Sequence, residues 1–485
     1  MASSFKDTST ALCNAIALVA KRLATNYVDP KGLEALLANR GVALSKDPSG
    51  VRPVGIGEML RRILGKVILA VFDGDVQRAA GPIQLCAGQS AGVEAAVHAM
   101  RTIFDSQEAE AALFIDAENA FNKVNRQTGL HNIQYLCPPL KHILTNFYRS
   151  PSRIFLKSED QTHEFSSEEG TTQGCPLAMA MYALSIAPLV TEGKSLCQQV
   201  WFADDGAGCD TVARLRKWYE FLASRGPQYG YYPKPKKCVL VVKEDKLEEA
   251  KRTFEGTEVT ITTGGARHLG AALGSAGFKR EFVEDKVKGW VSQVEQISRY
   301  AKTEPHAAFA AFTHCLQARW TFVSRTVPGA GKFFVGLEAA IRETFLPALL
   351  RRSSTLLALP ARYGGLGIFN PCEKAPDSIK YSEALCAPLV ALILRQADTF
   401  DPFNLKEEQK AIRAQQDVDL QFHMERKIGE ISSKSSRKLQ RVASLLLDKK
   451  ARRVGSPRCQ AKNTTQCYTK GIFWTQSTSG MLGPS

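Results

Sequence analysis

Three aspartates stand where carboxylates could hold metal ions. Asp116 follows a short apolar run, and the pair Asp204-Asp205 interrupts another apolar segment about ninety residues later. If both segments are neighbouring strands of one sheet, the three carboxylates meet at one edge and repel each other unless divalent cations neutralise them. Such oxygen ligands suit Mg²⁺, and two ions are a common solution for phosphoryl transfer. The alternative is that Asp116 caps the next helix and that Asp204-Asp205 only form a hairpin turn.

The elements that would position these aspartates follow from local patterns. The apolar run at 111–115 predicts a buried strand, and Asp205-Gly206 after residues 200–203 predicts a tight hairpin. Residues 170–176 read as a loop, because Pro176 suits the first turn of the apolar helix that follows. We expect a helical extension at 1–40, an α+β unit at 41–280, a helical domain at 281–400 and a basic, partly disordered tail at 401–485.

The charge of the chain favours a polyanionic partner. The net charge is +15 over 485 residues, and residues 426–462 carry twelve basic side chains against two acidic ones. That segment therefore supplies ten of the fifteen excess charges. Lys and Arg side chains gain from releasing the counterions condensed on phosphates, which points to nucleic acid. A solvated tail without a partner is the alternative.

Cysteine spacing and hydropathy bear on location. The twelve cysteines form no Cys-x-x-Cys pair, so neither a zinc site nor a disulfide framework is indicated. The chain has no apolar run long enough to cross a membrane, and its first ten residues are polar. We expect an intracellular protein of the cytoplasm or nucleus that is not secreted and has no membrane partner.

Several motifs in one order resemble those of reverse transcriptases, and among them the type encoded by retrotransposons without long terminal repeats. The motifs are Phe-Ile-Asp-Ala-Glu-Asn-Ala-Phe at 114–121, Gly-Thr-Thr-Gln-Gly-Cys-Pro at 170–176 and Phe-Ala-Asp-Asp at 202–205. The third has Phe where the family more usually has Tyr. The resemblance runs from about residue 46 to residue 274. It implies an α+β right-hand polymerase, with fingers and an antiparallel palm sheet followed by a helical thumb.

The resemblance also implies roles for single residues. Asp116, Asp204 and Asp205 would be catalytic and would hold two Mg²⁺ ions, with Mn²⁺ as a substitute, together with Ala117. The nucleotide-binding residues would be Lys46, Arg52, Phe121, Gln173, Gly174 and Lys237. The primer-binding residues would be His268, Leu269 and Gly270. A plain surface lysine at 237 and an ordinary hairpin at 268–270 are the alternatives.

Phe121 is the residue that bears on the choice of sugar. In the family that the motifs resemble, a bulky ring here leaves no room for a 2′-hydroxyl, so the implied substrates are dNTPs, an RNA template and a DNA or RNA primer. A core Phe is the alternative. An RNA-dependent RNA polymerase is disfavoured by Phe121. An inactive or domesticated RNA-binding protein on this fold is disfavoured by the retention of all three aspartates.

Overall fold

The α+β fold class predicted from the sequence is confirmed. The structure is a computed structural model that describes residues 6–46, 50–349 and 366–434. It divides the chain into two compact units. The first unit contains Met1–Glu281 and Ser382–Ile412, and the second contains Phe282–Tyr381 and the described residues from Arg413 onward.

The first unit contains eleven strands and ten complete helices within its described residues. The strands are β1 (Asn39–Lys46), β2 (Gly50–Gly57), β3 (Ala111–Ile115), β4 (Ser152–Lys157), β5 (Thr162–Ser167), β6 (Gln198–Phe202), β7 (Asp205–Asp210), β8 (Val239–Val242), β9 (Thr260–Thr262), β10 (Gly265–His268) and β11 (Ala271–Gly274). The helices are α1 (Lys6–Thr25), α2 (Pro30–Leu37), α3 (Met59–Ala80), α4 (Gly92–Phe104), α5 (Ala120–Lys123), α6 (Arg126–Leu136), α7 (Lys141–Tyr148), α8 (Ala178–Gly193), α9 (Val212–Arg225) and α10 (Leu247–Thr253).

Three sheets organise these strands. The largest has the order β6-β7-β3-β8-β9, and all its pairs are antiparallel except β8 with β9. A second sheet has the order β2-β1-β4-β5, and β10 and β11 form a separate hairpin. The central strand β3 is buried along its whole length, so its apolar run is explained by burial on both faces. We refer to the five-stranded sheet as the palm sheet.

The last part of the first unit comes from far along the chain. The helices after β11 are α11 (Ala276–Ala301), α12 (Pro305–Ala311), α13 (Gln317–Thr326), α14 (Val335–Ala340), α15 (Leu346–Leu349), α16 (Pro371–Leu394) and α17 (Pro402–Lys434). Of these, the end of α16 and the start of α17 lie within Ser382–Ile412 and belong to the first unit. Leu389 of α16 and Leu405 of α17 are buried in the same core as Phe114 of the palm sheet. The side chain of Lys406 also pairs with Asp73 of α3.

This packing differs from the domain division expected from the sequence. Residues 382–412 belong with the first unit, whereas a break near residue 400 and a tail from 401 were expected. The sequence led us to expect a tail from residue 401, but α17 begins at Pro402 and residues 402–434 are helical. Residues 435–485, on which the expected disorder also falls, lie outside the described part of the chain.

The second unit is helical and has an aromatic core of its own. Trp290 and Trp320 meet edge to face with ring centroids 6.2 Å apart, and Phe312 stacks on Phe345 at 4.2 Å. Such ring pairs add to the stabilisation from simple burial. None of the helices in the described ranges combines the length and the apolar character needed to cross a bilayer.

Candidate active site

Strand pairing in the palm sheet brings Asp116 beside Asp205. In the antiparallel pair of β3 and β7, Ile115 lies opposite Gly206. Asp116 is the next residue after Ile115, and Asp205 is the residue before Gly206, so the same register sets them opposite each other. Asp204 lies in the turn between β6 and β7. The structure thus gathers at one sheet edge the three residues that the sequence analysis singled out.

The electrostatics of this edge are unfavourable for a full set of negative charges. Burial of its carboxyl group, with the charges of Asp204 and Asp116, raises the pKa of Asp205 to about 7, while Arg267 opposes the shift. The residue keeps an exposed surface, and the two neighbouring carboxylates disfavour its ionised form independently of burial. At neutral pH, Asp205 is therefore partly protonated, and any bound cation would favour its ionised form.

Lys237 is the positive side chain paired with Asp116. Its Nζ lies 3.7 Å from Asp116 Oδ1, and the two side chains are 46% and 44% exposed. A pair this open to water is weak, so a cation could replace the lysine at the carboxylate. The neighbouring Lys236 turns instead to Glu258, at 3.2 Å. Of these two lysines, Lys237 is the one directed at the aspartates.

The oxygen atoms at this edge suit divalent cations, although the carboxylates are not close enough together to form a complete set of ligands. Within the described residues, no three acidic, His or Cys side chains form a finished metal-binding group. The carboxylates of Asp116, Asp204 and Asp205 are nevertheless hard oxygen donors whose repulsion a divalent cation would relieve. The neighbours of Ala117 bond to the segment at 232–234, through Lys234 N to Asp116 O and Glu118 N to Tyr232 O. The carbonyl of Ala117 therefore points away from that segment and takes no part in these two hydrogen bonds.

Phe121 contacts both α8 and the loop at 170–176. Its half-buried ring stacks on Tyr182 with centroids 4.5 Å apart and planes 25° from parallel. Its carbonyl accepts a hydrogen bond from the backbone N–H of Thr171 at 2.5 Å. The ring is thus packed against α8, and its backbone is bonded to the loop at 170–176.

The loop at 170–176 needs its glycines. Gly174 has φ +107°, and a Cβ there would lie 2.5 Å from the carbonyl oxygen of Gly55. Gly55 N also donates to the carbonyl of Gln173 at 2.9 Å, so the loop is bonded to β2. Gln173 itself is half-buried. The Gln-Gly pair therefore joins the palm to the sheet that contains the nucleotide-binding candidates Lys46 and Arg52.

Lys46 and Arg52 lie in the β1–β2 hairpin. Their backbones pair as Lys46 with Gly50 and Leu44 with Arg52. Their side chains lie outside what the structure describes. A triphosphate contact by either residue thus remains a prediction.

The turn at 268–270 is a tight hairpin with a buried histidine. His268 is 5% exposed, its ring centroid lies 5.0 Å from that of Phe114, and burial lowers its pKa to about 3. Leu269 and Gly270 have φ of +46° and +89°, as a two-residue turn of this kind requires. A primer could therefore meet the turn backbone at Leu269 and Gly270, but the side chain of His268 faces the core. This placement differs from the expected primer contact.

Gln84 and Tyr231, which the sequence did not indicate, form hydrogen bonds with the hairpin that carries Asp204 and Asp205. Gln84 bonds to both backbone groups of Ala203, and the hydroxyl of Tyr231 donates to the carbonyl of Asp204 at 3.1 Å. Gln84 lies 119 positions away from Ala203, so no local pattern could have indicated it. Tyr231 is one of three tyrosines at 229–232, and nothing in the sequence distinguishes it from the other two.

Comparison with known proteins gives one family match and several similar solved structures. Residues 44–269 match the family described as "Reverse transcriptase (RNA-dependent DNA polymerase)". Among solved structures, telomerase from Candida albicans with a fragment of telomeric RNA is similar at 8% identity and TM-score 0.39, over 80% of this chain and 68% of that one. Apo telomerase from Candida tropicalis is similar at 11% identity and TM-score 0.39, over 82% and 71%.

The match to some of these structures is partial. A Candida tropicalis telomerase truncated from its C-terminal domain aligns at 12% identity and TM-score 0.34, over 48% of this chain, and the chain spans about half of its length, 54%. A search of the curated proteins gave no match. The family match covers the strands and loops that carry Asp116, Asp204 and Asp205. The chain therefore contains a reverse-transcriptase domain, at residues 44–269.

Proposed function

We propose that the protein is an RNA-directed DNA polymerase that extends a DNA or RNA primer with dNTPs, and that it is of the non-LTR retrotransposon type. The observation that carries the proposal is the β3–β7 register, which sets Asp116 opposite Asp205 within a reverse-transcriptase domain. The retrotransposon type rests on the resemblance of the motifs at 114–121, 170–176 and 202–205. The excess positive charge supports a nucleic-acid partner.

Asp116, Asp204 and Asp205, with the carbonyl of Ala117, would hold two Mg²⁺ ions. When bound, such ions supply an activated primer hydroxyl and a stabilised pyrophosphate leaving group. The chain contributes the fixed positions of the carboxylates at the end of the palm sheet. Lys237, 3.7 Å from Asp116 in the structure, would turn from the carboxylate to the triphosphate.

Phe121 would select the sugar. Its ring stacks on Tyr182 and its backbone is bonded to Thr171, and both contacts limit how far the ring can move aside for a 2′-hydroxyl. Steric exclusion requires such stiffness, because a ring that could swing away would cost little to displace. The stacked arrangement therefore supports a DNA product rather than an RNA product.

The test is primer extension with the full-length protein on matched RNA and DNA templates, supplied with dNTPs or with NTPs. We expect Mg²⁺-dependent extension on RNA with dNTPs, and none from Asp204→Asn. Extension with NTPs at equal efficiency would instead identify an RNA polymerase. Tight binding of primer-template without extension by the wild-type protein would identify an RNA-binding module and overturn the proposal.

A further inference from the structure

The hairpin that carries Asp204 and Asp205 has an uncommon backbone conformation. Ala203, the residue just before the aspartates, has φ +56°, which places it in the left-handed region. A side chain with a Cβ rarely adopts this conformation, and Ala has no polar group with which to stabilise it locally. Something outside the hairpin must therefore hold the residue in place.

Gln84 bonds to Ala203 from the neighbouring segment. Its Nε2 donates to the carbonyl of Ala203 at 3.1 Å, and its Oε1 accepts from Ala203 N at 2.9 Å. Gln84 is fully buried, so water cannot replace either bond. A single amide thus satisfies both backbone groups of the left-handed residue.

The backbone around Gln84 is itself fixed to the hairpin strand. Trp201 N donates to Ile83 O, and Leu85 N donates to Trp201 O, both at 2.8 Å. The segment from Ile83 to Leu85 therefore lies beside β6 as a short parallel pairing. With its main chain anchored on both sides, the Gln84 side chain has a defined origin from which to reach Ala203.

Tyr231 holds the next residue of the turn. Its hydroxyl donates to the carbonyl of Asp204 at 3.1 Å, and its fully buried ring meets Trp201 edge to face at 5.4 Å. The two side chains approach consecutive residues, Ala203 and Asp204, from different segments of the chain. Together they bond to three backbone groups in the two residues that aim the carboxylates.

We propose that Gln84 and Tyr231 are positioning residues that set the direction of the Asp204 and Asp205 carboxylates for cation binding. This inference rests on the proposed function. A carboxylate that points about 1 Å or some tens of degrees away from its productive position loses much of its value as a ligand. The bonds from Gln84 and Tyr231 would thereby fix the backbone at residues 203 and 204, from which the carboxylates extend.

The primary test measures Mn²⁺ binding to the full-length protein by electron paramagnetic resonance of the free ion. Gln84→Met keeps a side chain of similar length and removes both bonds, and we expect it to weaken binding about tenfold. The matched control is Gln77→Met, because Gln77 is equally buried but donates to Asp73 and Gly88. The control should bind Mn²⁺ within about two-fold of wild type. Equal loss in both variants, or wild-type binding by Gln84→Met, would overturn the inference.

Tyr231→Phe provides a second variant, since it keeps the buried ring and removes only the donor to Asp204. We expect Mn²⁺ binding to weaken about three- to tenfold, with kcat lowered and the KM for dNTP and the primer-template Kd within about two-fold. Tyr219→Phe removes a tyrosine hydroxyl from α9 and is the control. If Gln84→Met does not fold, Tyr231→Phe decides the question: wild-type Mn²⁺ binding and kcat would overturn the inference.

The metal-binding readout separates this inference from the proposed function. If the wild-type protein binds Mn²⁺ through Asp204 but does not extend primers, the polymerase proposal fails, and the two variants still decide the positioning role. If the wild type extends primers and both variants bind Mn²⁺ normally, the positioning role fails alone. A wild-type protein that binds no Mn²⁺ would overturn both.

Discussion

Sugar selection by Phe121 can be tested together with the ring behind it. Phe121→Val removes the clash with a 2′-hydroxyl, and we expect it to lower the preference for dNTP over NTP by roughly thirty-fold to a thousand-fold, about 2 to 4 kcal/mol. Tyr182 stacks on that ring at 4.5 Å. Losing a stacked pair costs about 0.5–1.5 kcal/mol, so Tyr182→Leu should lower the same preference by roughly two- to twelve-fold although Phe121 is intact.

The double variant tests whether Tyr182 acts through Phe121. Once residue 121 is Val there is no ring to support, so Tyr182→Leu should then change the preference by less than about two-fold. The assay is single-nucleotide extension with dNTP and NTP of the same base, from which the ratio of kcat/KM values is taken. Phe254→Leu is the control, because its ring pairs with Tyr219 at 6.3 Å instead. Independent, additive effects of the two changes would show that Tyr182 does not act through Phe121.

Four further outcomes are expected. Asp116→Asn should abolish Mg²⁺-dependent extension and leave primer-template binding by fluorescence anisotropy within about a few-fold, and equal losses would contradict the assignment. Gly174→Ala meets the Gly55 carbonyl at 2.5 Å from a positive φ and should lower the free energy of unfolding in urea by at least about 2 kcal/mol; an unchanged value would refute the clash. The lowered pKa of His268, about 3, means that stability present above pH 6.5 is lost as pH falls toward 3. His268→Leu should therefore lose about 2 kcal/mol less than wild type between pH 7.5 and pH 5, and parallel pH profiles would exclude this. Truncation after Lys434 should flatten the salt dependence of RNA binding, since most of the basic cluster lies beyond it; an unchanged slope would show that cluster to be uninvolved.

Local sequence carried much of the information about the site. A fully apolar run ending in Asp116 indicates a buried strand, and an Asp-Gly pair after an apolar segment indicates a hairpin, whatever the rest of the chain does. The structure has both elements, as β3 and the β6–β7 turn. The loop at 170–176 was readable for the same reason, because Gly and Pro report backbone geometry directly.

Local patterns of this kind do not indicate contacts between residues that are far apart in the chain. Gln84 meets Ala203 across 119 positions, and Lys406 meets Asp73 across 333. The helix from Pro402 reads as polar because many of its residues are charged, yet Leu405 is buried in the core and Gln409, one turn later, is buried as well. Burial of one residue per turn or fewer leaves a periodic signal too weak to distinguish a docked helix from a solvated one.

His268 illustrates a different limit. A motif shows which residue stands at a position but not which way its side chain points, and here the alternation of the β10 strand turns His268 inward and Arg267 outward. Arg267 is also the positive charge that opposes the pKa shift of Asp205. The outward residue of this strand therefore acts on the site electrostatically, although the sequence drew attention to its inward neighbour.

The arrangement around the aspartates argues against the simple structural interpretation of these residues. A helix-capping Asp116 would precede its helix directly, but α5 begins only after Asn119, and the carboxylate of Asp116 is paired with Lys237 instead. Ala203 and Asp204 do form a two-residue turn, but the positive φ of Ala203 is held by two hydrogen bonds from the buried Gln84, which a plain surface turn does not need. Burial, together with the charges of Asp204 and Asp116, raises the pKa of Asp205 to about 7, so the ionised form of Asp205 costs folding free energy at neutral pH. The proposed cation site would give these costs a function, because a bound divalent cation would neutralise the carboxylates that the buried side chains hold at that edge.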